Sequence, residues 1–478
     1  MRNILNAVMV LCLGTYLHAQ SKKIAGTWQG PLQAGGKQVT IKFNFTAAGT
    51  GYTGTLDVPE QNAKDLALSM VEINGDSLTA QMAIAHITFR GAFTNDTTLK
   101  GLWLQSGAQL PLTLTLSSQP PVAEAIKPQT PVPPYSYNSE DVEYDNAGKT
   151  VHFGATLTYP KGRGPFATAL LITGSGQQDR DETIFGHKPF AVLADYLTKK
   201  GYAVLRIDDR GIGKTTGTLD NVTSADFAAD VEAGIAWLKT RPEVDKNKIG
   251  LIGHSEGGAI APMVAAKHPE LNFIVLWAGP IEGGLQTNVE QNGYSLLKAG
   301  IDTVAVNAFK QLHTSELTQF KNAADITTLN DLVKKVYDGW RQQQTSTILT
   351  HLYATDTAIV GQSIYKIYDG LYNNAWMRFF IMHNFAADLA KVKCSVLAIN
   401  GDRDMQVDAA INLAMVDSIM KKNGNLHFKT VALKGLNHLL QPAVTGDVAE
   451  YATIQTTIAP IALQTIGSWL DDNVMGKK

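Results

Sequence analysis

The stretch Gly253-His254-Ser255-Glu256-Gly257 is the part of this sequence best equipped for chemistry. A serine hydroxyl is a poor nucleophile at neutral pH; it needs a base within hydrogen-bond reach and a third group that fixes the tautomer of that base. Two downstream segments, Gly401-Asp402-Arg403-Asp404 and Leu436-Asn437-His438, supply those types in the order serine, acid, histidine. Ser255 is therefore the expected nucleophile, His438 the base and Asp404 the acid, with Asp402 and Asp408 as competitors for the acid. His438 alone among the eleven histidines lies just past the last expected strand. His427 opens that strand, and His254 sits inside the serine motif, where a structural role is expected. Acyl transfer also needs two preorganised donors for the oxyanion. The backbone N-H of Glu256, just after the nucleophile, is one; the second is expected from Gly174-Ser175-Gly176-Gln177, with Ser175 N-H the first choice and Gln177 the second.

These residues need particular elements behind them. A strand from Lys248 to Gly253 runs into the serine motif, and a helix rich in small residues, Gly257 to Ala266, leaves it. That is the strand, turn and helix of a nucleophile elbow, whose glycines let neighbouring segments approach without a Cβ clash. Near-continuous apolar runs at Ala167 to Thr173, Tyr202 to Ile207, Ile249 to Gly253, Phe273 to Ala278 and Ser395 to Asn400 read as strands covered on both faces, and Phe428 to Leu433 as the next strand. Helical patterns alternate with them, at Pro189 to Lys199, Ser224 to Lys239 and Glu450 to Leu470, as in a mostly parallel sheet with crossover helices. Asp404 and His438 then fall in loops at the carboxyl ends of two strands. Between Gly279 and Ala390 helical spacing takes over, for instance Leu329, Leu332, Val333, Val336 and Trp340, so a helical cap is expected at about 281–390. Its aromatics Trp376, Phe379, Phe380 and Phe385 are expected in the cap's own core, with a wall facing substrate as the other reading.

Residues 21–118 have a different texture. Period-two alternation at Val39, Ile41, Phe43, Phe45, at Leu78, Ala80, Met82, Ile84 and at Leu110, Leu112, Leu114, Leu116, with turn residues such as Asn74-Gly75-Asp76 between, predicts a small antiparallel sheet, sandwich or barrel. Gly26-Thr27-Trp28 resembles the lipocalin signature, although a buried core tryptophan explains it as well. Residues 119–137 carry Pro120, Pro121, Pro128, Pro131, Pro133 and Pro134 and read as an interdomain linker. At the start, Arg2, the apolar stretch Ala7 to Leu13 and Ala19 read as a signal peptide over 1–20, cleaved near Ala19/Gln20. The run is shorter than the roughly 20 residues of a spanning helix. A periplasmic or secreted protein without stable membrane insertion is expected. Cleavage would remove Cys12 and leave Cys394 without a disulfide partner.

Composition narrows the partners. Lys and Arg number 41 and Asp and Glu 43, so the net charge of −2 gives no global attraction to phosphate, and nucleic acid is excluded as a main partner. Gly211-Ile212-Gly213-Lys214-Thr215 ends like a phosphate-binding loop but has Asp208 where the first glycine belongs. Gly174-Ser175-Gly176 lacks the third glycine of a dinucleotide fingerprint, having Asp179 there. No cofactor is expected. No metal is expected either, since no histidine, cysteine and carboxylate cluster has ligand spacing.

The segments Gly174 to Glu182, Asp208-Asp209-Arg210-Gly211-Ile212-Gly213, Gly253 to Gly258, Gly401 to Asp404 and Leu436 to His438 resemble exported bacterial α/β-hydrolases related to esterases and serine aminopeptidase-like enzymes. The resemblance covers about 138–478, and the β domain before it resembles a module that often precedes such hydrolases. It implies an α/β-hydrolase fold with a mostly parallel sheet and a helical cap insertion after a small all-β domain. It also implies Ser255, Asp404 and His438 as the triad, with Asp208, Asp209 and Arg210 as structural buttresses. The function expected is hydrolysis of a small-molecule carboxylic ester through an acyl-enzyme. A serine peptidase on the same triad is the nearest rival, and a non-catalytic carbohydrate or lipid binder is the alternative from another class.

Overall fold

The computed structural model describes residues 23–34, 37–48, 51–59, 63–68, 70–82, 87–105, 108–117, 127–352 and 367–476. The expected signal peptide lies outside the described residues, as do Ile84, Pro120 and Pro121. The chain divides into two compact units, Met1–Val122 and Ala123–Lys478.

In the first unit the alternating segments form β1 (Gly26–Ala34), β2 (Lys37–Ala48), β3 (Gly51–Val58), β4 (Ala63–Ala67), β5 (Met70–Asn74), β6 (Ser77–Met82), β7 (Ile87–Asn95), β8 (Thr98–Gln105) and β9 (Ala108–Leu116). They pair antiparallel in the order β4-β3-β2-β1-β9-β8-β7-β6-β5. Ile41, Phe43 and Phe45 are buried and the residues between them are less so, as the two-residue period of a strand requires. Trp28 is fully buried among Phe43, Phe89 and Trp103, and its indole N-H donates to the Ile24 carbonyl at 2.8 Å. The Gly-x-Trp tryptophan is thus a core residue.

The second unit is built on β10 (Asn138–Asp145), β11 (His152–Tyr159), β12 (Phe166–Ile172), β13 (Ala203–Ile207), β14 (Val244–His254), β15 (Phe273–Trp277), β16 (Ser395–Gly401) and β17 (Phe428–Leu433). Their order is β10-β11-β13-β12-β14-β15-β16-β17, with the β10–β11 and β11–β13 pairings antiparallel and the rest parallel. All five side chains of β15 are wholly buried, which at ~1.5–3 kcal/mol per large apolar side chain anchors the centre of the sheet. Helices Ser224–Leu238, Glu256–Ala265 and Ala409–Lys422 cover one face, and Pro189–Lys200 and Pro460–Leu470 the other.

Sequence periodicity misses β10 and β11. β10 is an edge strand with Ser139, Glu140, Asp141 and Glu143 in its pattern, too polar to read as buried. The helix expected from Glu450 to Leu470 is shorter, Pro460–Leu470, after a single turn at Val448–Glu450. Pro460 fits a first helical turn, while its ring keeps Ala459 out of the α conformation. The segment before it is instead bonded to the proline-rich stretch: Lys127 Nζ donates to the Ala452 and Ile454 carbonyls, and Gln129 Oε1 accepts from Thr457 and Ile458 N-H.

Between β15 and β16 the described residues are helical, with Gly284–Lys298, Thr303–Thr318, Ile326–Gln342, Ser346–His351, Ala375–Met382 and Phe385–Leu389 as the main elements. Val289, Leu317, Phe320, Leu329, Val333 and Ile381 are part of the cap's own core. Phe380 and Phe385 belong instead to the hydrolase core, with Phe379 packed against it. Their helices therefore root the cap on the sheet, contrary to the expectation of a purely internal cap core. Deep in the cap, His313 Nδ1 lies 2.6 Å from the Tyr368 hydroxyl, which also bonds Glu316; His313 Nε2 lies 2.8 Å from Asn288 Oδ1.

Candidate active site

Ser255 joins β14 to the helix Glu256–Ala265 with φ 52° and ψ −121°, a conformation that costs a non-glycine residue of order 1–3 kcal/mol and persists only where surroundings impose it. The surroundings are close. A Cβ on Gly253 would lie 2.0 Å from the Gly257 carbonyl oxygen, and one on Gly257 would lie 2.2 Å from that of Ile172. Only glycine fits at either place. Ser255 N-H donates to the Trp277 carbonyl at 2.8 Å, which ties the turn to β15.

His438 and Asp404 meet as their strand-end positions suggest. His438 Nδ1 is 2.8 Å from Asp404 Oδ2, and both residues are buried. Asp404 Oδ1 accepts the backbone N-H groups of Gln406 and Val407, each at 2.9 Å, so the carboxylate cannot rotate away. Because a carboxylate only accepts, Nδ1 carries the proton and Nε2 is left as the base. The competing aspartates have other work. Asp402 accepts from Gly435 N-H at 2.6 Å, and Asp408 caps the helix Ala409–Lys422 through Ile411 N-H at 2.9 Å. Asn437 Oδ1 accepts from Leu439 and Gln441 N-H, bracing the loop that carries His438. His427 stands at the start of β17, at the opposite end of that strand from His438.

Glu256 N-H belongs to the first residue of its helix, where no intrahelical acceptor exists and the helix dipole favours negative charge. The loop after β12 lies against the nucleophile: a Cβ on Gly174 would come within 3.1 Å of Ser255 Cβ. Asp209 clamps both ends of that loop, accepting from Thr173 Oγ1 and Gln178 N-H at 2.8 Å each. Burial pushes its carboxyl well above the usual aspartate range. Asp208 receives Arg180, and Arg210 forms a two-point pair with Asp230 at 2.7 and 2.8 Å. The Gln177 side chain is committed to the Arg210 carbonyl.

Four contacts escape sequence reasoning. Glu182, with φ 53°, accepts from Gly174 N-H at 2.7 Å and faces His254 Nδ1 at 2.9 Å. The Glu256 side chain turns inward to Ser224 Oγ at 2.6 Å and to the Trp376 indole N-H of the cap at 2.8 Å. Burial raises its carboxyl, opposed by those hydrogen bonds and one from Ser175. Trp376 therefore ties the cap to the residue that follows the nucleophile. The His254–Glu182 and Glu256–Trp376 pairs are 72 and 120 positions apart, so local spacing carries no signal for them. A cavity beside Gly174 and Gly176 is walled by Phe153, Ile207, Phe227 and Ile260. Among the described residues, no group of three histidine, cysteine or carboxylate side chains could hold a metal, and no helix is long and apolar enough to cross a membrane.

The strand order and the strained strand-to-helix turn define an α/β-hydrolase, a serine hydrolase by class. Over residues 132–430, more than half of its length, the chain matches the X-Pro dipeptidyl-peptidase (S15) family, and it belongs to that family. It is similar to Esterase EstD of Thermotoga maritima, 31% identical over 150 residues that make up 31% of this chain and 34% of the esterase. It is also 28% identical to an acyl transferase of Photorhabdus luminescens over 161 residues, 33% of this chain and 48% of the transferase. The chain thus spans between a third and a half of the length of these two curated relatives. Among solved structures, the esterase Pf2001 of Pyrococcus furiosus is 16% identical with a TM-score of 0.41, over 71% of this chain and 92% of that one.

Proposed function

We propose that the chain hydrolyses small carboxylic esters through an acyl-enzyme on Ser255, His438 and Asp404. The observation that carries this reading is the 2.8 Å contact between His438 and a doubly anchored Asp404, combined with a nucleophile held at a strained elbow. His438 Nε2 takes the Ser255 proton as Oγ attacks the carbonyl carbon. Asp404 stabilises the resulting imidazolium, and Glu256 N-H and Ser175 N-H hold the oxyanion. The C–O bond breaks, the alcohol leaves with the proton from His438, and water repeats the sequence to release the acid. The likeness to an esterase supports the ester reading. The same reading takes the stretch Ala7 to Leu13 as an export signal and the enzyme as periplasmic or secreted.

The family favours a second reading, a serine peptidase on the same residues. A short-acyl p-nitrophenyl ester assayed beside aminoacyl and X-Pro nitroanilides separates the two. The ester should have the highest kcat/KM, and Ser255→Ala should remove nearly all its turnover. Faster turnover of a nitroanilide would assign a peptidase, and an active Ser255→Ala variant would sink both readings.

A further inference from the structure

The histidine next to the nucleophile faces an acceptor at each ring nitrogen. His254 Nδ1 is 2.9 Å from Glu182 Oε1, and Nε2 is 3.3 Å from the His438 carbonyl oxygen. A neutral imidazole has one N-H and serves only one such partner. Glu182 Oε1 also accepts the Gly174 N-H at 2.7 Å. The pair is closed off from water, both side chains being about 5% exposed or less. Trp277 completes the pocket, its ring 4.7 Å from that of His254 and its indole N-H donating to the same His438 carbonyl at 3.2 Å.

We propose that Glu182 and His254 form a buried carboxylate–imidazolium pair that positions the catalytic groups and keeps the base His438 neutral. This rests on the triad reading above. One side of the pair holds Gly174, on the loop packed against Ser255; the other holds the main chain of His438. The pair therefore fixes the distance between the oxyanion loop and the base across the elbow itself. The rings of His254 and His438 are 4.7 Å apart, so the cation disfavours a second positive charge on His438. The charged and titratable groups around His254 are Glu182 on the loop after β12, Asp404 on the loop after β16 and His438 on the loop after β17. Asp209 and Glu256 are further buried carboxyls, and after burial itself Glu182 and Glu256 both help to raise that of Asp209. Burial alone would drive a proton off His254, yet Glu182, helped by Asp404 and the His438 carbonyl, outweighs it and the ring holds its proton above the usual histidine range.

Glu182→Gln and His254→Asn are positioning variants, and both remove the cation beside His438. Each should lower kcat on the ester by on the order of 10²-fold with a small change in KM. Each should also move the acidic limb of the kcat/KM profile upward by about half a pH unit or more, because His438 then protonates more readily. A loss of activity with an unmoved limb in both variants would mean a scaffold role only and would overturn the proposal. Histidine-selective 15N labelling of the full-length wild type gives a readout that needs no variant to fold. Both His254 ring nitrogens should stay protonated above the pH at which exposed histidines lose their proton. A neutral His254 there would overturn the proposal. Failure of the triad reading is distinguishable, since it would show as turnover surviving Ser255→Ala while the His254 signals stay as they are.

Discussion

The floor of the active site and the cap each bury a histidine beside a glutamate, and the two regions settle their protons differently. On the floor, Glu182 receives a backbone N-H and a ring N-H, enough donors to hold a carboxylate. In the cap, Glu316 meets one phenol; in both glutamates the other oxygen is buried without a hydrogen-bond partner. Burial therefore keeps Glu316 protonated, its carboxyl pushed up to about 8, and holds His313 neutral, pushed down to about 4. The difference teaches that burial alone does not set charge in this protein; the number of donors delivered by neighbouring loops does. The donors are denser on the floor, while the buried His313–Glu316 site belongs to a cap tied to the elbow through Trp376 and Glu256.

The comparison breaks most forcefully on the floor. In Asp404→Asn, the Gln406 and Val407 N-H groups still need an oxygen, so the new amide nitrogen is turned toward His438. The imidazole must then carry its proton on Nε2, the wrong tautomer. Steady-state kinetics should show kcat about 10⁴-fold lower with the fold intact. A loss below about tenfold would remove Asp404 from the reaction.

The cap should respond to pH in stability. A carboxyl whose folded pKa lies above its unfolded value takes up a proton on folding. Glu316 therefore contributes fully below about 4.5, and its contribution fades as pH rises through about 8. His313 is opposite in sign, contributing fully above 6.5 and losing that as pH falls through about 4. Glu316→Gln should match the wild type near pH 5 and exceed it near pH 9, by on the order of a few kcal/mol, in denaturant melts. An equal pH dependence in the two proteins would show that Glu316 is ionised in the cap.

Ser255, Asp404 and His438 could be singled out as candidates from order and position because each lies just past a strand end, and β12 to β16 contain apolar runs that can be read from composition. β10 was illegible because an edge strand need not be apolar. The turns between Glu450 and Pro460 looked helical because periodicity does not register hydrogen bonds to Lys127 and Gln129. Glu182, His254 and Trp376 form the shell around the site, yet their types fit a solvated turn, a strand end and an aromatic core. Their role depends on partners that only the fold supplies.

The central claim is that Ser255 is an activated nucleophile. Labelling the full-length protein with a fluorophosphonate probe, followed by peptide mapping, tests it most directly. The account predicts one adduct, on Ser255, absent from Ser255→Ala and strongly slowed in Asp404→Asn. An unlabelled Ser255 in protein that hydrolyses the ester, or an adduct on another serine that accounts for the activity, would contradict it.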